Sequence, residues 1–265
     1  MIVVVQVAAL AVDATNFVTA CASSAQAYKT ATLLKTLNVN ALISGEVGVG
    51  KKTLARYILN EAPMFDGKEY EDILATLQST SEIIIINLEN IPNIKIVLDI
   101  IVEKSIRLIA TAKSSFYSEY IDEVCSIKFD IPPLSQRPED VNELIKIYAQ
   151  EASKLFNTSS EIKIDNFKPD LSSNSNSLKR QIMINSLFAD ISDSELMDIM
   201  QSYLSDKLGS NNDYRNFLHL YEVPLIRAGL DKFKSQLQLA DKLGLNRNTL
   251  RKKISDNKDY LKENE

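Results

Sequence analysis

The chain contains no tryptophan, one histidine and two cysteines in 265 residues. With Cys21 and Cys125 its only thiols, a disulfide framework and a cysteine-rich metal site are both excluded, and a reducing cytoplasm is the expected setting. His219 has no ligand companions, so it reads as a helix residue rather than a catalytic base, and no metal centre is expected. Long apolar runs are also missing. The Met1 to Val12 segment is apolar, but it lacks a basic start and meets Asp13 too early to span a membrane. It reads as a strand or packed arm. The likeness of Val18-Thr19-Ala20-Cys21 to a lipoprotein cleavage site is superficial without a charged leader. At 45% hydrophobic and 25% charged, the chain can bury one substantial core and carry a small second domain.

Glycine is scarce, and its placement is informative. Three of the seven glycines, Gly45, Gly48 and Gly50, fall between the apolar run Ala41-Leu42-Ile43 and the helical pattern Leu54, Ala55, Ile58, Leu59. Strand, glycine loop and helix in that order make a phosphate cradle. Glycines let backbone amides turn toward phosphate oxygens, the helix start adds positive potential, and a lysine supplies a point charge. The candidate nucleotide-binding residues are therefore Gly45, Glu46, Gly48, Val49, Gly50, Lys51, Lys52 and Thr53. The hydroxyl expected directly after the lysine is replaced by Lys52, and Thr53 comes one position late, which leaves magnesium coordination by the loop open.

A second pattern lies near the other end. Leu239, Ala240, Leu243, Gly244, Leu245, Leu250 and Ile254 predict two short helices joined by a glycine turn, the grammar of a helix-turn-helix. Asn246 suits the cap of the second helix. Its first turn carries Arg247, Asn248 and Thr249, which fit guanine, adenine and thymine edges, while Arg251, Lys252 and Lys253 can meet phosphates. Charge agrees with this reading. The chain carries a net −5, yet from Asp231 to Glu265 nine Lys and Arg stand against six Asp and Glu. Double-stranded DNA is the expected partner, and no membrane is.

Gly244 to Ile254 resembles the C-terminal Fis-type helix-turn-helix of NtrC-type bacterial enhancer-binding proteins, the sigma-54-dependent activators. Gly45-Glu46-x-Gly48-x-Gly50-Lys51 looks like their phosphate loop, with Lys52 where they usually carry Glu. Ile106 to Ala112 resembles their sensor I strand, and Phe129 to Val141, with Pro132-Pro133-Leu134 and Arg137-Pro138-Glu139-Asp140, their segment before the lid. The resemblance implies an α/β class fold: a P-loop AAA+ three-layer αβα domain over 1–142, a helical lid over 143–208 interrupted by the polar Ser172 to Ser177 run, and an all-α Fis-type domain over 209–265. It also implies a homodimer through the C-terminal domain, with Phe217, Leu218, Tyr221, Leu225, Ile226 and Leu230 as the apolar face of the preceding helices. Pro224 should kink or begin a helix there.

The departures carry as much weight as the matches. The second nucleotide strand, Glu82 to Ile86, is followed by Asn87 and Leu88 where an Asp-Glu pair should hold magnesium and polarise water. Glu89 is shifted along, and one residue on a strand turns a side chain to the opposite face. Tyr117 and Glu123 fall at the arginine-finger positions and Asn176 at the sensor II arginine, with Lys179 and Arg180 as alternatives if the register differs. No Gly-Ala-Phe-Thr-Gly-Ala loop lies between Lys51 and Asn87, where Gly67 is the single glycine, so direct sigma-54 contact is not expected. The expectation is a DNA-binding transcriptional regulator with a degenerate AAA+ domain, no assigned catalytic residue and weak or vestigial ATP or ADP binding. The alternatives are an active AAA+ ATPase using Glu89 as a sigma-54-dependent activator, and a module that assembles with a full activator.

Overall fold

The computed structural model describes residues 17–156, 167–189 and 191–261. The Met1 to Val12 segment lies outside them. The chain divides into two compact units, Met1–Ile191 and Ser192–Glu265.

In the first unit, β1 (Ala41–Gly45), β2 (Met64–Asp66), β3 (Glu82–Ile86), β4 (Arg107–Ala112) and β5 (Ile127–Ile131) form one sheet in the order β2-β3-β4-β1-β5. Every pairing is parallel, with Ala41 opposite both Ile109 and Ile127. Parallel strands need helical crossovers that cover both faces, which is why these strands read as unbroken apolar runs rather than alternating ones. Consecutive residues then serve opposite faces. Ile83 and Ile85 pack with Ile73, Leu77, Val97 and Ile101, supplied by α3 (Tyr70–Thr76), the turn after it and α4 (Ile94–Glu103). Ile84 and Ile43 pack on the other face with Ala31, Leu34, Leu54 and Ile58 from α1 (Ala22–Thr36) and α2 (Lys51–Ile58). The result is a three-layer αβα arrangement. Of the remaining helices of this unit, α5 (Glu119–Val124) precedes β5, while α6 (Pro138–Phe156) and α7 (Ser175–Phe188) pack together through Leu144, Ile145, Ala152, Leu178 and Ile182.

The second unit begins with α8 (Asp193–Ser205), capped by a reciprocal Ser192 and Glu195 pair. Then follow α9 (Asp213–Phe217), α10 (His219–Phe233), α11 (Gln236–Lys242), α12 (Arg247–Asp256) and α13 (Lys258–Leu261). Pro224 lies inside α10, so the helix continues through it rather than starting at it. Ile226, Leu239, Ala240 and Leu250 are buried at the centre, joined by Leu230, Phe233, Leu243 and Ile254. Gly229 lets α11 approach α10 closely, since a Cβ there would sit 2.2 Å from Leu239 Cδ1. Gly244 takes φ +64° and Leu245 N–H reaches back to the Ala240 carbonyl at 2.9 Å, a left-handed helix stop. The apolar set expected on one face of α10 divides. Ile226 and Leu230 enter the core, whereas Tyr221 and Leu225 are exposed.

Candidate functional site

In an open parallel sheet, ligands bind beyond the carboxyl ends of the strands where the chain order reverses. Here that place is β1, which lies between β4 and β5 and runs into the glycine loop. Gly45, Gly48 and Gly50 have φ of +146°, +80° and +109°, a trace that side-chain-bearing residues rarely adopt. Every carbonyl from Gly45 to Gly50 is engaged within the described residues. Lys51 Nζ donates to Gly45 and Glu46 at 2.6 and 2.7 Å, Asn174 Nδ2 to Val47 at 2.9 Å, and Ser175 Oγ to Gly48 at 2.6 Å. Arg137 Nη2 donates to Val49 at 3.1 Å and Leu54 N–H to Gly50 at 3.1 Å. With the carbonyls spoken for, the amides remain: among the described residues none accepts from Val47, Gly48, Val49, Gly50, Lys51 or Lys52 N–H. That arrangement is an anion nest at a helix start.

The polar Ser172 to Ser177 run does interrupt the helices, as a turn over 172–174 leading into the start of α7. It is the lid's contact with the loop. Asn174, buried and at φ +53°, donates to Glu46 Oε2 at 2.9 Å as well as to Val47, and accepts from Leu134 N–H at 2.7 Å. One amide thus ties the loop, the lid and the segment after β5 together. Asn176 faces Gly48, with its Cγ 3.3 Å from where a Cβ would stand, while Lys179 pairs with Glu151 at 2.6 Å and Arg180 is exposed. Of these three residues, Asn176 is the one that stands against the loop. Asn174, Ser175 and Arg137 were missed as site residues because only the fold brings them to the loop. The lone signal was a Ser/Asn cluster at a helix start, where such side chains bond to backbone.

Beside the loop, Phe17, Val18, Gly50, Thr53, Leu144 and Tyr148 line a cleft. Its floor holds the buried Arg137–Asp140 pair at 3.2 Å, with Asp140 also accepting Cys21 N–H at 2.8 Å. Burial lowers the Arg137 guanidinium, and the Asp140 charge opposes that shift. A small cleft lined by both apolar and polar side chains beside a glycine loop is a candidate small-molecule site.

The end of β3 corrects one expectation about Glu89. Strand alternation stops at Ile86, because Asn87 adopts a left-handed φ of 54° and a tight turn follows over Leu88–Asn90. Leu88 is driven into the core. Asn87 turns its side-chain amide to Asp66, and its backbone N–H donates to Thr111 Oγ1 at 3.2 Å. Glu89 therefore follows a turn rather than a strand, and its charge is the largest of those opposing the burial that lowers the Lys51 ammonium's pKa. One Glu89 carboxylate oxygen is buried without a partner among the described residues. Tyr117 and Glu123 are both exposed. Among the described residues no three His, Cys, Asp or Glu gather as an ion-binding cluster, and no helix is long and apolar enough to cross a membrane.

In the second unit, Asn246 Oδ1 accepts from Asn248 N–H at 2.9 Å and starts α12. Arg247, Asn248, Thr249, Arg251 and Lys252 are all exposed, while Leu250 is buried beneath them. Lys253 is a correction. It is half-buried and bonded to Glu222 of α10, so it holds two helices together and does not face solvent with the other cations.

No protein-family model matches the chain, and no curated protein is significantly similar to it in sequence. Solved structures are similar in fold. NtrX from Brucella abortus matches with TM-score 0.58 at 13% identity, over 90% of this chain and 68% of that one. The same protein in complex with ATP matches with TM-score 0.53 at 15% identity, and in complex with ADP with TM-score 0.53 at 14%. At such identities the likeness concerns the fold, which is that of an α/β P-loop domain of the AAA+ type.

Proposed function

We propose that the protein is a sequence-specific DNA-binding transcriptional regulator whose AAA+-type domain holds a nucleotide without splitting it efficiently. The observation that carries this reading is the exposed start of α12, where Arg247, Asn248 and Thr249 stand on one capped turn above the buried Leu250. A helix presented in this way enters the major groove by its first turn. Arg251 and Lys252 extend the same exposed surface with phosphate-binding charge. Dimerisation through this unit is supported by α8, none of whose residues is buried. Leu196, Ile199 and Tyr203 recur there at helical spacing and are exposed, as is Tyr221 on α10. A dimer would read a palindromic site. The test is a shift titration of the full chain against genomic fragments. A preferred fragment bound with salt-dependent affinity supports the reading, and equal binding to all fragments sinks it.

For the first unit, the free amides of the glycine loop and the cleft beside it support holding ATP or ADP, the nucleotides found with NtrX. The replacements at Asn87, Leu88, Tyr117, Glu123 and Asn176 support loss of efficient hydrolysis. One observation favours a second reading, an active AAA+ ATPase serving as a sigma-54-dependent activator: Glu89 has a buried carboxylate oxygen without a partner among the described residues, and its charge acts on Lys51. Phosphate release by the full chain, abolished by Lys51→Ala, would select that second reading.

A further inference from the structure

Magnesium requires near-octahedral oxygen coordination, and in P-loop proteins it takes the hydroxyl after the loop lysine and the carboxylate ending the acidic strand. Neither donor is present in this chain. The residue after Lys51 is Lys52, exposed on the first turn of α2, so a cation stands where the hydroxyl would be. At the end of β3, Asn87 spends its amide on Asp66 and Leu88 is enclosed in the core. Thr53 lies one position further along the helix, half-buried on the wall of the cleft. Glu89 is the one carboxylate the turn after β3 sends toward the loop, and its charge falls on Lys51. Glu89, Asp130 and Glu46 act on Lys51, but the two positions from which P-loop proteins take their magnesium donors, here Lys52 and Leu88 after Asn87, carry no carboxylate or hydroxyl.

What the loop does offer is positive. Six successive amides, from Val47 to Lys52, lead into the start of α2 without an acceptor among the described residues, and the last two belong to Lys51 and Lys52. Lys51 at present donates to the Gly45 and Glu46 carbonyls, its own loop, and a phosphate oxygen would replace those acceptors without moving the backbone. The Glu89, Asp130 and Glu46 charges around Lys51 balance those of Lys51, Lys52 and Lys113, so the loop's attraction for phosphate rests on its amides and the helix start rather than on an excess of cations. We propose that this chain binds the polyphosphate tail of a nucleoside di- or triphosphate without a divalent metal, Lys52 supplying the charge that the metal supplies elsewhere. The inference rests on the nucleotide-holding reading above. It also gives that reading a chemical reason: without a metal, the transferred phosphoryl group lacks its main source of charge neutralisation.

The test is calorimetric titration of the full chain with ATP, once in EDTA and once in excess magnesium. The expected affinity is the same in both, within about twofold, and Lys52→Ala loses about tenfold in EDTA, the worth of one charge-assisted contact. Glu89→Gln should bind in EDTA as well as the unaltered chain or better, because it removes the charge that opposes Lys51. Affinity that rises about tenfold or more with magnesium, and loses that gain in Glu89→Gln, overturns the proposal while leaving nucleotide binding in place. Absence of heat in both buffers, with no displacement of a fluorescent ATP analogue, overturns the proposal and the nucleotide-holding reading together.

Discussion

Lys253 on α12 is bonded to Glu222 on α10, and Asn257 donates to the second oxygen of the same carboxylate at 3.3 Å. The contact separates two neighbouring lysines by role. Lys252→Ala should weaken DNA binding about equally on all sequences and reduce the salt slope by about one. Lys253→Ala should leave that slope unchanged and destabilise the C-terminal unit by about 1–2 kcal/mol, because the largely buried Glu222 loses its cation. Binding measured across a salt series, with thermal unfolding of each variant, separates the two effects.

Arg247 is exposed at the first position of α12 and unpaired among the described residues. Arg247→Ala should therefore fold normally and relax preference at one base pair of each half-site, by about 1–3 kcal/mol. Comparing affinities for the preferred duplex and its single-base variants reads this directly. An equal loss on every duplex would assign Arg247 to phosphate instead.

Asn174 makes a different kind of prediction, since it satisfies a buried backbone amide. Asn174→Ala leaves Leu134 N–H without an acceptor and should cost about 1–3 kcal/mol of stability. Asn174→Asp keeps that acceptor but loses both donated bonds and puts a carboxylate against Glu46, so it should be the worse of the two at neutral pH. Denaturant unfolding of the two variants ranks them.

The two cysteines should behave unlike each other. Burial pushes the Cys125 thiol up to about 11, whereas Cys21 is only half-buried at the start of α1. An alkylating reagent at about pH 8 should label Cys21 and spare Cys125 until the protein unfolds, because the thiolate is the reacting form. The raised pKa also sets a sign. An unfolded chain ionises this thiol near 9.0 and the folded one near 11, so stability is intact below that interval and falls as pH rises through it. Cys125→Ala should remove this part of the alkaline loss.

The glycine loop, the strand before it and the Asn246-capped start of α12 were all legible in the sequence, because each is a local pattern whose spacing has a direct geometric meaning. The parallel runs around Ile84 and Ile109 were legible for the same reason. Glu89 was not, since strand alternation predicts its direction only while the strand lasts, and Asn87 ends it by turning left-handed. Lys253 looked equivalent to Lys252 because its partner Glu222 lies a whole helical hairpin away in sequence. The role of Asn174 was hidden by distance as well. Its polar neighbours read as a break between helices, which they are, but not as the surface that meets Val47 and Gly48.

The most direct measurement is selection of bound duplexes from a random library by the full chain at physiological salt. A dimer reading DNA through α12 predicts enrichment of one inverted repeat whose half-sites are spaced by a whole number of helical turns, with the enriched base pair lost in Arg247→Ala. Recovery of sequences no different from the starting library would contradict the account.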